Sequence, residues 1–183
     1  VLHADETPVS MLAPGTGKTQ RAYIWAYGTT PFDDLKAVVY DFAPGRSGEH
    51  AENFLQGWSG TLVCDDFPGY KALFANGVTE AGCLAHARRK FHELHANHGS
   101  PLAEEALGWF SELYEIERLA QDLDVDQRRR LRQLKARPIA DSLHKWLTLQ
   151  RQRCTDGTAI AKAIDYSLKR WEALTRYLDD GRI

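Results

Sequence analysis

With 183 residues, 43% of them apolar, the chain can bury a core and hold one domain plus an insertion. A net charge of -2 excludes a molecule that attracts nucleic acid as a whole, so any phosphate binding has to come from locally basic surfaces. Cys64, Cys83 and Cys154 form no Cys-x-x-Cys pair and are odd in number. With no signal-peptide pattern and no apolar run near the roughly 20 residues of a membrane span, they point to a reducing, cytoplasmic setting.

Residues 1–12 read as an extended first strand, with Pro8 arguing for an exposed or irregular stretch. Pro14-Gly15 and Gly17 mark a turn. Residues 21–29 (Tyr23, Ile24, Trp25, Ala26, Tyr27) and 37–42 (Val38, Val39, Tyr40) favour strands, and the three runs make an antiparallel meander. Ser47 suits the N-cap of a short helix over 48–56, with Phe54 and Leu55 facing inward. Thr61-Leu62-Val63-Cys64 is an unbroken run ending at Asp65-Asp66, as in a strand buried on both faces. A helix over 70–75, a fifth strand over 78–84 and a helix over 85–96 follow. The expectation is a mixed five-stranded sheet flanked by helices, occupying residues 1–100.

From Pro101 the pattern is wholly helical. Trp109, Phe110, Leu113 and Ile116, then Ile139, Leu143, Trp146 and Leu147, then Ile160, Ile164, Leu168 and Trp171 recur at three- and four-residue steps. Pro138 and Gly157 punctuate these stripes. Residues 101–183 therefore read as an all-helical insertion in an α/β protein, to roughly Leu178, followed by the start of the return to the core. The chain opens on Val1 and stops at Asp180-Gly181-Arg182-Ile183, which reads as an excised piece of something longer.

Asp5, in the first strand, and Asp65, at the end of the fourth, are the candidate acids. Side chains from two neighbouring parallel strands converge at one sheet edge, where ligands commonly sit. Two carboxylates about 4 Å apart repel by roughly 4 kcal/mol at an effective dielectric near 20, so a shared magnesium or manganese ion gives the pairing a purpose. The alternative is that both are solvated strand ends. Pro14-Gly15-Thr16-Gly17-Lys18-Thr19 imitates a phosphate-binding P-loop, but Leu12 stands where that motif needs glycine, and the segment leads into strand rather than helix. A hairpin turn is the better reading, and a nucleotide hydrolase is disfavoured. Cys83, His86, His92, His95 and His98 lack zinc-ligand spacing and read as scattered histidines. Arg88-Arg89-Lys90 lies just beyond the fifth strand and suits phosphate contact. The cluster of Arg128, Arg129, Arg130, Arg132, Lys135 and Arg137 reads either as a second phosphate surface or as a helix face paired with Asp122, Asp124 and Asp126.

The segments His3-Ala4-Asp5-Glu6-Thr7-Pro8, Tyr23-Ile24-Trp25, Cys64-Asp65-Asp66-Phe67-Pro68-Gly69-Tyr70 and Gly82-Cys83-Leu84-Ala85-His86-Ala87-Arg88-Arg89-Lys90-Phe91 resemble, in order, the transposases of the insertion sequence 66 family. Arg176-Tyr177-Leu178-Asp179-Asp180-Gly181-Arg182-Ile183 resembles the stretch before that family's last catalytic motif. The resemblance implies a ribonuclease-H-like fold and a DDE-type enzyme that breaks and joins DNA phosphodiesters, with Asp5 and Asp65 as its first two metal-binding acids. It places the third acid, a glutamate, beyond Ile183. Asp66 stands where the family usually has glycine, which leaves open which of Asp65 and Asp66 faces the metal. The resemblance further implies two Mg2+ (or Mn2+) ions in a complete site, transposon ends and target DNA as partners, and self-association on DNA. His86, Arg88 and Arg89 are expected either to contact DNA phosphate or to orient the acids of the site. A non-catalytic nucleic-acid-binding or scaffold domain of the same fold is the competing expectation.

Overall fold

The computed structural model describes residues 1–183 and folds as two compact units: residues 1–81 with 182–183, and residues 82–181. In the first unit, strands β1 (Leu2–Ala13) and β2 (Lys18–Thr29) form one hairpin, paired without a break from Leu2↔Thr29 to Ala13↔Lys18. Gly15 and Gly17 supply the positive φ angles (83° and 67°) that the connection needs, and the Thr16 hydroxyl donates to the Ala13 carbonyl at 2.7 Å. The P-loop imitation is thus a hairpin turn. β3 (Val38–Ala43) pairs antiparallel with β2, while β4 (Thr61–Cys64) pairs parallel with β1. With β5 (Thr79–Gly82) the sheet runs β3-β2-β1-β4-β5, a mixed five-stranded sheet as expected.

Of the two expectations for Pro8, exposed or irregular, the structure shows the first: it is exposed and its surroundings stay regular. β1 runs through it, opposite Tyr23. β4 pairs only with Leu2 and His3, so β1 is an edge on that side by the time it reaches Pro8, a position where proline is tolerated.

The core of this unit lies on one sheet face. Ala4, Trp25, Tyr27, Ala43, Leu62 and Cys64 pack with Ala51 and Leu55 at helix α1 (Gly48–Phe54), with Leu73 of helix α2 (Lys71–Ala75), and with Tyr70 and Val78. Ser47 caps α1 as its sequence suggests, its hydroxyl accepting the Glu49 N–H at 3.4 Å. Leu55 is buried, but Phe54 stays partly exposed and lies flat on Tyr27 with ring centroids 4.2 Å apart. On the other sheet face, Val38, Tyr40 and Phe42 of β3 are exposed.

The second unit is all helical: α3 (Leu84–His98), α4 (Pro101–Leu119), α5 (Val125–Leu131), α6 (Arg137–Arg153), α7 (Ala159–Lys169) and α8 (Trp171–Thr175). The expected stripes form its core, with Phe110, Leu113, Leu143, Leu147 and Ile164 among the most buried side chains and Phe91 against Phe110 at 5.8 Å. Pro138 does punctuate the helical stretch: a π-helical segment (Arg132–Ala136) joins α5 to α6, with Pro138 in the first turn of α6 where its absent N–H matters least. No helix is long and apolar enough to cross a membrane.

Candidate active site

Asp5 and Asp65 come to the same level on neighbouring strands. The parallel register pairs Leu2 with Leu62 and His3 with Val63, and each acid lies two residues beyond the second pair. Adjacent strands run about 4.8 Å apart, so the two backbones are near neighbours at the last pair, His3 and Val63. Strand alternation turns Ala4 and Glu6 into the core, leaving His3, Asp5 and Thr7 exposed on the opposite face. Asp65, just past the end of β4, is half-buried. Its Oδ1 accepts the Phe67 N–H at 2.8 Å, which sets the turn leading into the 3-10 segment Pro68–Tyr70. Asp66 is exposed.

Glu6 is a buried acid that the sequence reading does not single out. Its side chain is 1% exposed. Oε1 accepts from Arg46, whose Nε lies at 2.8 Å and whose Nη2 also bonds it, and Oε2 accepts the Tyr70 hydroxyl at 2.9 Å. Burial raises the Glu6 pKa above the ordinary carboxylate value, against the pull of Arg46 and Tyr70 in the other direction. With both oxygens engaged, Glu6 is not placed to serve as a ligand alongside Asp5. Its period-two relation to Ala4, on the core side of an otherwise apolar pattern, is the available signal.

The turn after Asp65 sits against the start of α1 through two glycines. A Cβ on Gly48 would meet Gly69 Cα and O at 2.7 Å, and a Cβ on Gly69 would meet the Phe67 ring at 2.1 Å. Gly69→Ala is therefore expected to cost about 1–3 kcal/mol of stability through overpacking, read as a lowered urea midpoint. An unchanged midpoint would show that the turn relaxes away without cost.

His86, Arg88 and Arg89 occupy the first turns of α3, in the helical unit. His86 is half-buried and its Nδ1 has no hydrogen-bond partner; Arg88 is half-buried and Arg89 exposed. Part of the second basic cluster is engaged within the helical unit. Arg132 is buried against Glu117, Arg128 lies 3.7 Å from Glu117, and Arg137 pairs with Asp179 at 2.6 Å. The acids expected to pair with it, Asp122, Asp124 and Asp126, supply only Asp126, 4.0 Å from Arg129. No group of three or more His, Cys, Asp or Glu side chains is arranged to hold a metal ion. Asp5 and Asp65 each carry hard oxygen donors of the kind that Mg2+ and Mn2+ take.

The model of the Transposase IS66 family matches residues 1–183. The chain belongs to this family. Among curated relatives, the IS66-family segment is 35% identical to uncharacterized protein y4hP and 38% identical to uncharacterized protein y4qI, both of Sinorhizobium fredii (strain NBRC 101917 / NGR234). Those alignments cover 100% and 98% of the chain but 36% of each relative, so the chain spans little more than a third of their length. No solved structure matches it. Within the Asp5-Glu6-Thr7 segment the structure separates two adjacent acids, placing Asp5 outward and Glu6 inward.

Proposed function

We propose that this segment of an IS66-family transposase carries the first two carboxylates of a DDE-type active site, Asp5 and Asp65, on a ribonuclease-H-like sheet. The observation that supports this reading is the parallel register of β1 and β4, which brings two acids 60 positions apart in the chain to one level of the sheet. Two like charges at such a level repel unless a cation lies between them, and carboxylate oxygens suit Mg2+ or Mn2+. When bound, a pair of such ions would neutralise developing phosphoryl charge and lower the pKa of the attacking water or DNA 3′-hydroxyl.

The chain's own residues hold and orient. Asp5 offers an exposed carboxylate from the middle of a paired strand. Asp65 offers one from a turn held by the Phe67 N–H. His86, Arg88 and Arg89 engage and orient DNA phosphate, and no side chain forms a covalent bond to DNA. The third acid of this reading is a glutamate beyond Ile183. The partners are transposon ends and target DNA, several copies assemble on them in the cytoplasm, and the helical unit organises that assembly.

In a full-length transposase carrying this segment, Asp5→Asn or Asp65→Asn is expected to lower strand transfer about a thousandfold or more, the several kcal/mol that metal-ion charge stabilisation supplies. Folding and duplex binding should be retained. Near-normal strand transfer by either variant would remove that residue from the site, and with it this reading.

A further inference from the structure

The buried carboxylate of Glu6 joins the two chain segments that bear the candidate acids. Glu6 follows Asp5 directly, and Tyr70 closes the turn that begins at Asp65. The Tyr70 hydroxyl donates to Glu6 Oε2 at 2.9 Å, a bond between residues 64 positions apart. Arg46 completes the link: it holds Glu6 Oε1 through Nε and Nη2, and its guanidinium lies 4.1 Å from the centroid of the Phe67 ring, inside the same turn. Phe67 and Tyr70 meet edge to face at 5.7 Å, and Trp25, the β2 residue opposite Glu6, touches both rings.

A buried ion pair is weak evidence for stability, because an apolar residue of similar volume often serves as well or better. What this one supplies is geometry. A one-residue slip of β1 would turn Asp5 into the core, and Glu6, anchored by two partners, opposes that slip. The same two partners hold the turn after β4, so the position of Asp65 is referred to the strand that carries Asp5. The charge of Asp65 acts on both Glu6 and Arg46, which places it close to the network electrostatically.

We infer that Glu6, Arg46 and Tyr70 are positioning residues that set the separation of Asp5 and Asp65 and thereby the affinity of that pair for divalent cations. This rests on the reading of Asp5 and Asp65 as metal ligands. Partners behind a metal's direct ligands commonly change metal affinity about ten- to a hundredfold when removed.

The test uses a full-length transposase carrying this segment, with Tyr70→Phe, which removes one hydroxyl and keeps the ring. Mn2+ binding is titrated by electron paramagnetic resonance, thermal melting is recorded, and the Mg2+ concentration for half-maximal cleavage is measured. The expected result is Mn2+ binding about tenfold weaker or more, a matching rise in the Mg2+ requirement, and duplex binding unchanged. Loss of activity in proportion to lost folded protein, with Mn2+ affinity unmoved, would make the network purely structural and overturn the inference. If Tyr70→Phe does not fold, Arg46→Lys is read the same way, since it keeps the charge while losing the paired hydrogen bonds and the stacking on Phe67. Asp5→Asn and Asp65→Asn separate the two levels. If both leave cleavage intact, the parent reading fails; if both abolish it while Tyr70→Phe leaves Mn2+ affinity unchanged, only the positioning role fails.

Discussion

Glu117→Ala is expected to destabilise the helical unit by about 3–5 kcal/mol, because it leaves the buried guanidinium of Arg132 without its counter-charge. Arg132 is 1% exposed. It forms a two-pronged pair with Glu117, at 2.8 Å from Nε to Oε1 and 2.7 Å from Nη2 to Oε2. Its Nη1 donates to the carbonyls of Tyr177 and Asp180 at 2.9 and 3.0 Å, and its guanidinium carbon lies 5.0 Å from the Tyr177 ring centroid. One side chain therefore fastens the π-helical segment to α4 and to the returning segment 177–180. Arg132→Met is expected to cost less, about 2 kcal/mol, since it removes the charge along with its hydrogen bonds and fills much of the same volume. Urea unfolding followed by helical circular dichroism reads both. If the arginine substitution proves the more damaging, buried charge is not the controlling cost.

Gly181→Ala is expected to destabilise the same unit by about 3 kcal/mol or more, at the upper end of overpacking costs. A Cβ there would stand 1.9 Å from the Val125 carbonyl oxygen and 2.7 Å from its carbon, both backbone atoms at the start of α5 that no rotamer change can move. Gly108 lies on an open face of α4, where an added methyl would meet nothing within 4 Å, and it should respond with the opposite sign. Gly108→Ala is expected to stabilise by about 1 kcal/mol through helix propensity alone. Equal urea midpoints for the two variants would mean that the returning segment is not held against α5.

The elements are largely legible because each rests on a local pattern. The glycines at 15 and 17 between two aromatic and β-branched runs require a hairpin, and Ser47 before Gly48-Glu49 marks a helix start. The unbroken Leu62-Val63-Cys64 run is buried as a two-sided strand should be. Pro8 and Pro138 are accommodated for a common reason: the cost of a missing N–H depends on whether a partner waits for it. β4 stops short of Pro8, and the π-helical segment delivers Pro138 into a first helical turn.

At the candidate site, Asp5 and Asp65 can be named from their places at strand positions, but Glu6 cannot be told from a solvated neighbour without its partners. Arg46 and Tyr70 reach it from 40 and 64 positions away, and no spacing rule connects three such residues. The second basic cluster shows the same limit. As a string it offers phosphate contact or a solvated face, and only packing reveals that Arg132 is buried and answers Glu117.

Strand and helix identity, the mixed sheet and the family relationship follow from local propensity, periodicity and motif order, which act over a few residues and survive in a bare sequence. The inward turn of Glu6, the burial of Arg132 and the β1–β4 register just before Asp5 and Asp65 belong to tertiary structure. Burial and register bring distant residues together, and a charge's energy depends on the partners and solvent around it, which chain order does not specify.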